Sequence, residues 1–309
     1  MYIQDLFIKY YDFRPFKNNT IGNKVIGNFS KILVYIANII LPIWFKCFPG
    51  KQNKRNKIPI NISMTSFPNR INKVWLVIEC MLRQTKQPTK IKLYLSKEQF
   101  PSNKQLPNNL SKYILQGFLD VILVNNDIKS HKKYWYIINE NPYQKFITID
   151  DDIIYLSDTI ENLWNKSQEN TNCIISCYNH KIKRDKTNQI LPYTQWGNEF
   201  IKINEKGNDI FFGSGGGTLF PAGSLLNANQ PVEILQKVCP YADDIWLNAY
   251  IRKNGYMVMN IRNCYSVPEW LIWKNIKLSS TNNGEKLNDK QLTQTILFFK
   301  EKYNLNPFT

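Results

Sequence analysis

An apolar run that ends in three consecutive carboxylates places the strongest constraint on how this chain folds. Residues 146–149 are typical of a buried strand, and Asp150, Asp151 and Asp152 follow directly. Because the three negative charges repel one another, we expect a counter-ion at the edge of a sheet. In an extended chain side chains alternate between faces, so Asp150 and Asp152 are predicted to converge on one hard divalent cation that also binds phosphate oxygens. A solvated acidic turn is the alternative.

The chain is strongly basic, and the excess charge lies mainly near its start. Its 309 residues include 40 Lys and Arg against 24 Asp and Glu, for a net charge of +16. Residues 1–57 contain ten of these cations and two of the acids. A polyanionic partner is therefore expected, such as an anionic membrane, a nucleic acid or a phosphorylated substrate. The cysteines and histidines show no zinc-ligand spacing, so no zinc site is predicted.

Residues 1–57 are predicted to form an extension that precedes a main domain at 58–309. Residues 32–45 are strongly apolar, but Asn38 and Pro42 interrupt them, and they fall short of the roughly 20 residues of a membrane-spanning helix. A basic cluster follows at residues 51–57. Three placements stay open: a helix lying in the headgroup region of an anionic leaflet, a helix packed on the main domain, and a true span.

From residue 58 onward, strand and helix patterns alternate. Residues 60–64 alternate as a first strand, residues 71–82 are apolar at helical spacing, and residues 90–96 form a second strand. This order predicts a parallel α/β sheet with right-handed crossovers and ligands beyond the carboxyl ends of its strands. Further strands are predicted at 120–124, 173–178 and 256–261, and helices at 109–116, 159–168 and 289–303.

Two shorter motifs accompany the aspartates. Lys133 lies in a basic patch one segment before them, where it is predicted to reach a diphosphate, and a solvated helix start is the alternative. Four glycines within residues 213–217 remove side chains between two apolar runs. They permit either close approach of the backbone to a ligand or a sharp bend in the sheet.

A second acidic pair, Asp243 and Asp244, opens a helix that Gly255 is predicted to end. Capping of the helix explains one of the two carboxylates. The other is left to accept a proton from a substrate hydroxyl.

In their order along the chain, residues 62–70, residues 149–152, the glycine loop and residues 243–245 resemble a known group of enzymes. The chain looks like a nucleotide-sugar-dependent glycosyltransferase of the GT-A fold, similar to bacterial family 2-like enzymes of surface polysaccharide assembly. Residues 243–248 are also similar to a run in exostosin-type transferases. The resemblance covers about residues 58–270 and implies a three-layer α/β sandwich with a mostly parallel central sheet. Residues 58–155 would form its nucleotide-sugar-binding half and residues 156–309 its acceptor-binding half.

The resemblance also implies roles for the donor-side residues. Thr65 and Arg70 would lie near the nucleotide, and Asp150 would contact the ribose side, while Asp151 would support Asp152 at the metal. Asp152, together with Asp150, would coordinate Mn²⁺ or Mg²⁺ at the diphosphate as a DXD motif. Many members add a C-terminal His ligand, and this chain has no His after His180, so phosphates and water would complete the metal shell.

On the acceptor side, the resemblance assigns the border of the acceptor and a base. Gly215, Gly216 and Gly217 would border the acceptor, and Asp244 or Asp243 would deprotonate its hydroxyl. Apart from the resemblance, Trp270 is predicted to stack on a sugar ring of the acceptor, and packing in the core is the alternative. Whether the transfer inverts or retains the anomeric configuration stays open.

The predicted function is metal-dependent transfer from a nucleotide sugar, expected to be UDP-linked, to a glycan or lipid-linked glycan. The expected location is cytoplasmic, peripheral on the inner face of the plasma membrane. A nucleotidyltransferase is one alternative, although a Gly-rich basic loop is expected after its first strand, and residues 65–70 contain one Arg and no Gly. A nucleic-acid-binding protein is disfavoured because the excess charge lies in an apolar segment.

Overall fold

An eight-stranded sheet forms the centre of the computed structural model, which describes residues 2–12, 21–102, 106–196, 201–262 and 287–309. The strands are β1 (Asn61–Thr65), β2 (Lys90–Ser96), β3 (Leu119–Val124), β4 (Phe146–Thr148), β5 (Cys173–Ser176), β6 (Asn179–Lys181), β7 (Lys206–Gly207), β8 (Ile210–Phe212), β9 (Thr218–Phe220) and β10 (Met257–Asn260). The helices are α1 (Ile3–Asp12), α2 (Ile21–Cys47), α3 (Pro68–Ile71), α4 (Val74–Leu82), α5 (Ser111–Leu115), α6 (Lys132–Glu140), α7 (Thr159–Glu169), α8 (Val232–Val238), α9 (Asp243–Lys253) and α10 (Leu287–Tyr303).

The strand order in the sheet is β3-β2-β1-β4-β9-β5-β10-β7. Strands β3, β2, β1 and β4 run parallel, and β5 and β10 are parallel to each other. Strand β9 runs antiparallel between β4 and β5, and β7 is an antiparallel edge strand. Strands β6 and β8 form a separate two-stranded antiparallel sheet. The predicted mostly parallel α/β architecture is confirmed.

Each face of the central sheet carries its own hydrophobic core. Side chains alternate between faces along a strand, so Ile147 joins one core while the neighbouring Phe146 joins the other. The first core packs under helices α1, α2, α4 and α7, and the second packs under α6, α8, α9 and α10. The result is a three-layer α/β/α sandwich.

The elements predicted from periodicity lie close to their observed positions. The second strand was predicted at residues 90–96 and is observed as Lys90–Ser96, and the helix predicted at 159–168 is observed as Thr159–Glu169. The residue that ends α9 as predicted, Gly255, has a positive φ of 79°. The strand before the three aspartates is shorter than the apolar run that predicted it. It ends at Thr148, and Asp151 and Asp152 form a turn.

The N-terminal extension packs on the main domain along one face. Phe7 and Ile8 of α1 and Ala37, Leu41 and Phe45 of α2 are buried in the first core. The spacing of the three α2 residues is one helical turn, so they form a single stripe. The sequence left open whether this helix lies on a membrane, packs on the main domain or spans a membrane. The buried stripe of Ala37, Leu41 and Phe45 is packed on the main domain.

A buried polar cluster fixes the end of α2 to α4. The Glu79 carboxylate, which is fully buried, accepts hydrogen bonds from the Gly50 backbone N–H at 2.8 Å and the Tyr113 hydroxyl at 2.7 Å. Arg83 pairs with Glu79 and donates to the Phe48 carbonyl, and its guanidinium lies 4.1 Å from the centre of the Phe45 ring. Because buried charges are stable only when paired, this cluster holds α2 in one orientation.

The opposite face of α2 is apolar and exposed. Its exposed large side chains are Ile32, Tyr35, Ile36, Ile39, Ile40, Ile43 and Trp44, and Phe48 follows directly after the helix. They recur at the three- and four-residue spacing of a single helical face. In the described part of the chain, no helix has the length and apolar character needed to cross a membrane.

Candidate active site

Three chain segments meet at one edge of the central sheet. Strands β1 and β4 are parallel, with Ser63 beside Thr148, so the loop after β1 and the aspartates after β4 lie at the same edge. Strand β9 is antiparallel to β4, with Thr218 beside Thr148, so the glycine loop before β9 reaches that edge as well. The cleft therefore forms where the carboxyl ends of the parallel strands meet, as the strand order predicts.

Arg70 neutralises two of the three aspartates. Its Nη1 lies 3.0 Å from Asp151 Oδ1 and 2.7 Å from Asp152 Oδ2. The Ser66 hydroxyl donates to Asp151 Oδ2 at 2.5 Å. Burial raises the pKa of Asp151 although Arg70 and Ser66 oppose the shift. These contacts make Asp151 a structural member of the turn.

Asp150 belongs to a different group of side chains. Lys133 Nζ donates to Asp150 Oδ1 at 2.8 Å. The alternation predicted from the sequence, with Asp150 and Asp152 together and Asp151 apart, is therefore not what the ion pairs show. The reason is that the extended chain ends at Thr148, so the two-residue period does not continue through the turn.

The glycine loop is tied directly to the aspartate segment. The Thr148 hydroxyl donates to the Ser214 carbonyl at 2.6 Å, and the Tyr155 hydroxyl donates to the Gly215 carbonyl at 2.5 Å while accepting from the Asp150 backbone N–H at 2.8 Å. A Cβ atom at Gly215 would lie 1.7 Å from Asp150 Oδ2. Glycine is required here because the carboxylate occupies the space that a side chain would fill.

A buried lysine connects this loop to helix α9. Lys133 Nζ donates to Ser214 Oγ at 3.0 Å, and Ser214 Oγ donates to Asp243 Oδ2 at 2.8 Å. Lys133 Nζ also lies 3.4 Å from Asp243 Oδ2. Burial opposes the charge of Lys133, yet Asp150, Asp243 and Asp244 together raise its pKa above the ordinary value. Lys133 is therefore a cation that holds the two acidic motifs together.

The two carboxyl groups of α9 differ in their environments. For Asp243, burial favours the neutral form, but the charge of Lys133 and a hydrogen bond from Ser214 leave its pKa below the ordinary value. Asp244 accepts a hydrogen bond from the Ser214 backbone N–H at 2.7 Å. Burial, followed by the charge of Asp243, raises the pKa of Asp244 to about 7. Asp243 is thus a fixed anion, whereas Asp244 exchanges a proton near neutral pH.

Carboxylates outnumber their paired cations in the described part of this cleft. The carboxylates are Asp150, Asp151, Asp152, Asp243 and Asp244, and the cations that pair with them are Arg70 and Lys133. A bound diphosphate would add more negative charge, so its binding at this edge calls for an additional cation. These ion pairs are therefore compatible with an additional cation, such as a divalent metal, when a diphosphate is bound.

The residues after β4 would supply at most two carboxylate ligands to a metal, so a bound ligand would have to supply most of its coordination. Within the described ranges, no three or more His, Cys, Asp or Glu side chains are grouped to hold a metal ion. Asp150 has 38% of its side chain exposed and is accessible to an ion. Asp152 is only 7% exposed and contacts Arg70, so a metal ion at Asp152 would share its carboxylate with the Arg70 guanidinium. Phosphate and water oxygens would complete the coordination, as Mg²⁺ prefers.

The remaining predicted site residues are Thr65, Gly216, Gly217 and Trp270, and they do not share one environment. The Thr65 hydroxyl donates to the Tyr94 carbonyl at 2.8 Å, so its oxygen supports the sheet edge, and contact with a nucleotide stays a prediction. Gly216 packs against Tyr178, and Gly217 has a φ of 98° that favours glycine. Trp270 lies outside the described residues.

Several residues of the site carried no separate signal in the sequence. Ser66 and Ser214 lie within motifs that were recognised, and a polar residue inside each motif was the available clue. Tyr155 holds the loop from five residues beyond Asp150. Tyr178 and Tyr193 lie in or beside a long polar segment whose sequence pattern does not indicate a site.

No protein-family model and no curated protein sequence matches this chain. Part of the fold is similar to three solved structures. The first is Staphylococcus aureus TarS 1–349 in complex with UDP, at 12% identity over 67% of this chain and 59% of that chain, with a TM-score of 0.43. This chain therefore spans less than two thirds of the TarS fragment.

The second is 4-diphosphocytidyl-2C-methyl-D-erythritol synthase, at 8% identity over 75% of this chain and 98% of that chain, with a TM-score of 0.40. The third is the mannosyltransferase PcManGT from Pyrobaculum calidifontis in complex with GDP-Man and Mn²⁺. It is 13% identical over 75% of this chain and 65% of that chain, with a TM-score of 0.37.

Proposed function

We propose that this protein is a metal-dependent glycosyltransferase that moves a sugar from a nucleotide-sugar donor, expected to be UDP-linked, to a hydroxyl of a glycan or lipid-linked glycan. The observation that carries the proposal is the position of Asp244. Its carboxyl group, with a pKa of about 7, contacts Ser214, while the next loop residue, Gly215, contacts Asp150. A proton acceptor and the carboxylates proposed to bind a cation thus flank one backbone loop, an arrangement that supports transfer of a sugar.

Asp244 acts as the general base toward the acceptor hydroxyl. The Ser214 backbone N–H orients its carboxylate, and Asp243 remains ionised beside Lys133. Burial, together with the negative charge of Asp243, keeps the pKa of Asp244 high enough for proton transfer near neutral pH. This assigns the base role to Asp244 and a positioning role to Asp243.

The aspartates after β4 serve the donor. Asp150 and Asp152 would hold Mn²⁺ or Mg²⁺, which neutralises negative charge on the departing nucleoside diphosphate when it is bound. Arg70 and Ser66 keep the turn in shape through Asp151. Thr65, at the carboxyl end of β1, borders the nucleotide side of the cleft.

The donor assignment is tested by calorimetry with UDP, GDP and their sugars, with and without Mn²⁺, on wild type and on Asp150→Asn and Asp152→Asn. We expect each variant to lose at least about tenfold in Mn²⁺-dependent affinity. Asp120→Asn is the matched control, because Asp120 is also 38% exposed and its ion pair, with Lys90 on the neighbouring strand β2, does not involve the aspartates after β4. If Asp152→Asn kept the wild-type Mn²⁺-dependent affinity for the donor, Asp152 would not be a metal ligand.

The base assignment is tested separately with Asp244→Asn. This variant should bind the donor normally and transfer at least about a hundredfold more slowly. A loss of donor affinity instead would place Asp244 in the nucleotide site. A nucleotidyltransferase predicts another product: pyrophosphate from a nucleoside triphosphate and a sugar phosphate. Its detection in place of nucleoside diphosphate release would favour that alternative.

The partner of the exposed face of α2 is proposed to be an anionic membrane surface. The face is apolar, and Trp44 and Phe48 contact each other at its end with ring centres 4.4 Å apart and planes tilted by 41°. Exposed Lys46, Lys51 and Arg55 lie beside it in the chain. Apolar side chains with an aromatic pair and adjacent cations suit the headgroup region of an anionic leaflet. The enzyme would then act peripherally on the inner face of the plasma membrane.

Co-sedimentation with phosphatidylglycerol and phosphatidylcholine vesicles tests this partner. We expect wild type to bind the anionic vesicles, and Ile39→Asp with Ile43→Asp to lower that binding about tenfold or more. Leu297→Asp is the matched control, since Leu297 is 51% exposed on α10 and Ile39 is 53% exposed. Equal binding by the α2 double variant and wild type would contradict the assignment.

A further inference from the structure

A group of aromatic rings stands on the side of the glycine loop that faces away from Asp150. Tyr178, His180 and Tyr193 are half-buried, and the His180 ring centre lies 6.0 Å from that of Tyr178 and 5.8 Å from that of Tyr193. Behind them, Phe211 stacks on His180 at 5.0 Å and lies 5.7 Å from Tyr193. The three front rings therefore rest on packed core.

Rigid elements hold these rings. His180 pairs with Phe211 between β6 and β8, and Tyr178 lies in the bend directly before β6, where its ring meets that of His180 edge-on. Tyr193 opens a short 3₁₀ turn, and its ring packs on buried Trp196 with centres 5.0 Å apart. A surface fixed in this way loses little conformational entropy when a ligand binds.

The rings are close to the proposed base. A Cβ atom at Gly213 would lie 2.6 Å from Tyr178 Cδ1 and 3.7 Å from Asp244 Oδ2, so ring and carboxylate border the same glycine. A Cβ atom at Gly216 would lie 2.4 Å from Tyr178 Cβ, whereas one at Gly215 would overlap Asp150. The glycine loop thus has the donor carboxylates on one side and the aromatic rings on the other.

The three side chains Tyr178, His180 and Tyr193 are themselves uncharged at neutral pH. Burial lowers the pKa of His180 to about 4, so its imidazole is neutral, and its Nε2 lies 3.4 Å from the Tyr193 hydroxyl. Neutral rings edged by hydroxyl and imidazole groups match a pyranose, which has an apolar C–H face and a rim of hydroxyl groups. A phosphate or carboxylate ligand would find no cation among these three rings.

We propose that Tyr178, His180 and Tyr193 form the acceptor subsite and that it takes a neutral pyranose ring with its attacking hydroxyl toward Asp244. This inference rests on the proposed glycosyltransferase function and names the chemical class of its acceptor. The acceptor proton passes to the Asp244 carboxylate as the new C–O bond forms at the donor sugar. The bond from that sugar to the nucleoside diphosphate breaks, and the diphosphate leaves with the electron pair.

The test uses full-length enzyme with the nucleotide sugar that binds in calorimetry and methyl pyranosides of glucose, galactose, mannose and N-acetylglucosamine as acceptors. Donor hydrolysis to water is measured alongside transfer. Tyr193→Leu should raise the KM for the accepted glycoside about tenfold and should lower transfer to the glycoside clearly more than it lowers hydrolysis of the donor. Tyr193→Phe keeps the ring and should stay within about threefold of wild type for transfer. Tyr143→Leu, at a tyrosine 67% exposed, is the control.

Three results would overturn the inference. The first is a wild-type enzyme that hydrolyses the donor but is not accelerated by any of the glycosides. The second is an unchanged acceptor KM in Tyr193→Leu. The third is an equal loss of hydrolysis and transfer in that variant, which would indicate a structural role. Failure of the proposed glycosyltransferase function gives a different result from these three: the wild-type enzyme would hydrolyse no nucleotide sugar. The inference about the acceptor would then fail as well.

Discussion

The pH dependence of transfer should report the ionisation of Asp244. A general base works only when it is deprotonated, and burial together with the charge of Asp243 raises the pKa of Asp244 to about 7. At pH 6 about a tenth of the molecules would hold the active carboxylate, and at pH 8 about nine tenths. We therefore expect kcat/KM to rise about tenfold from pH 6 to pH 8 and to level off above it.

Two substitutions should shift this pH-dependent rise in kcat/KM, the acidic limb of the profile, in opposite directions. Asp243→Asn removes the neighbouring negative charge but keeps an oxygen that accepts from Ser214, so the pKa of Asp244 should fall and the limb should shift to lower pH. Lys133→Met removes a positive charge that favours the ionised form, so the limb should shift to higher pH. Shifts of the limb in opposite directions in these two variants would indicate that the charges of Asp243 and Lys133 act on the pKa of Asp244.

The assay is the initial rate of nucleoside diphosphate release across pH 5 to 9, with donor affinity measured by calorimetry at the same pH values. Donor affinity should change less across this range than the transfer rate, because Asp244 contacts Ser214 and is not one of the carboxylates proposed to hold the metal. A profile that is flat over this range, or the same limb in Asp244→Asn, would refute the assignment of the base.

Two further predictions concern the loop and the core. Gly215→Ala places a Cβ atom on Asp150, so we expect that carboxylate to move and donor kcat/KM to fall about a hundredfold, and unchanged donor kinetics would contradict the packing. Glu79→Ala leaves the buried Arg83 without its carboxylate, which should lower the free energy of unfolding in urea by about 3–5 kcal/mol. Lys112→Ala, which removes a half-exposed partner of Glu79, should cost less than about 1 kcal/mol, and equal losses would refute this view of the cluster.

The fixed orientation of α2 gives the membrane proposal a geometric consequence. Because Arg83 and Glu79 lock the end of α2 to α4, the exposed face cannot swing freely relative to the cleft. A bilayer on that face would hold the cleft at a constant height and tilt. This arrangement suits an acceptor that is itself attached to the membrane.

Local patterns in the sequence determined the elements and the composition of the site. The alternation of strand and helix, the Asp150–152 run after a buried strand and the helix opened by Asp243 and Asp244 were all visible. Each depends on a period of two or 3.6 residues or on charges adjacent in the chain, which is information that a short window contains.

Only the tertiary structure decided which charges pair and which side chains meet. Arg70 reaches Asp151 across 81 positions, and Lys133 reaches Ser214 across 81 as well. Such contacts depend on the strand order, which brings β1, β4 and β9 to one edge, and on a strand that ends at Thr148. The aromatic rings beside Asp244 also come together only in the tertiary structure, because no strand or helix period relates Tyr193 to Tyr178 and His180.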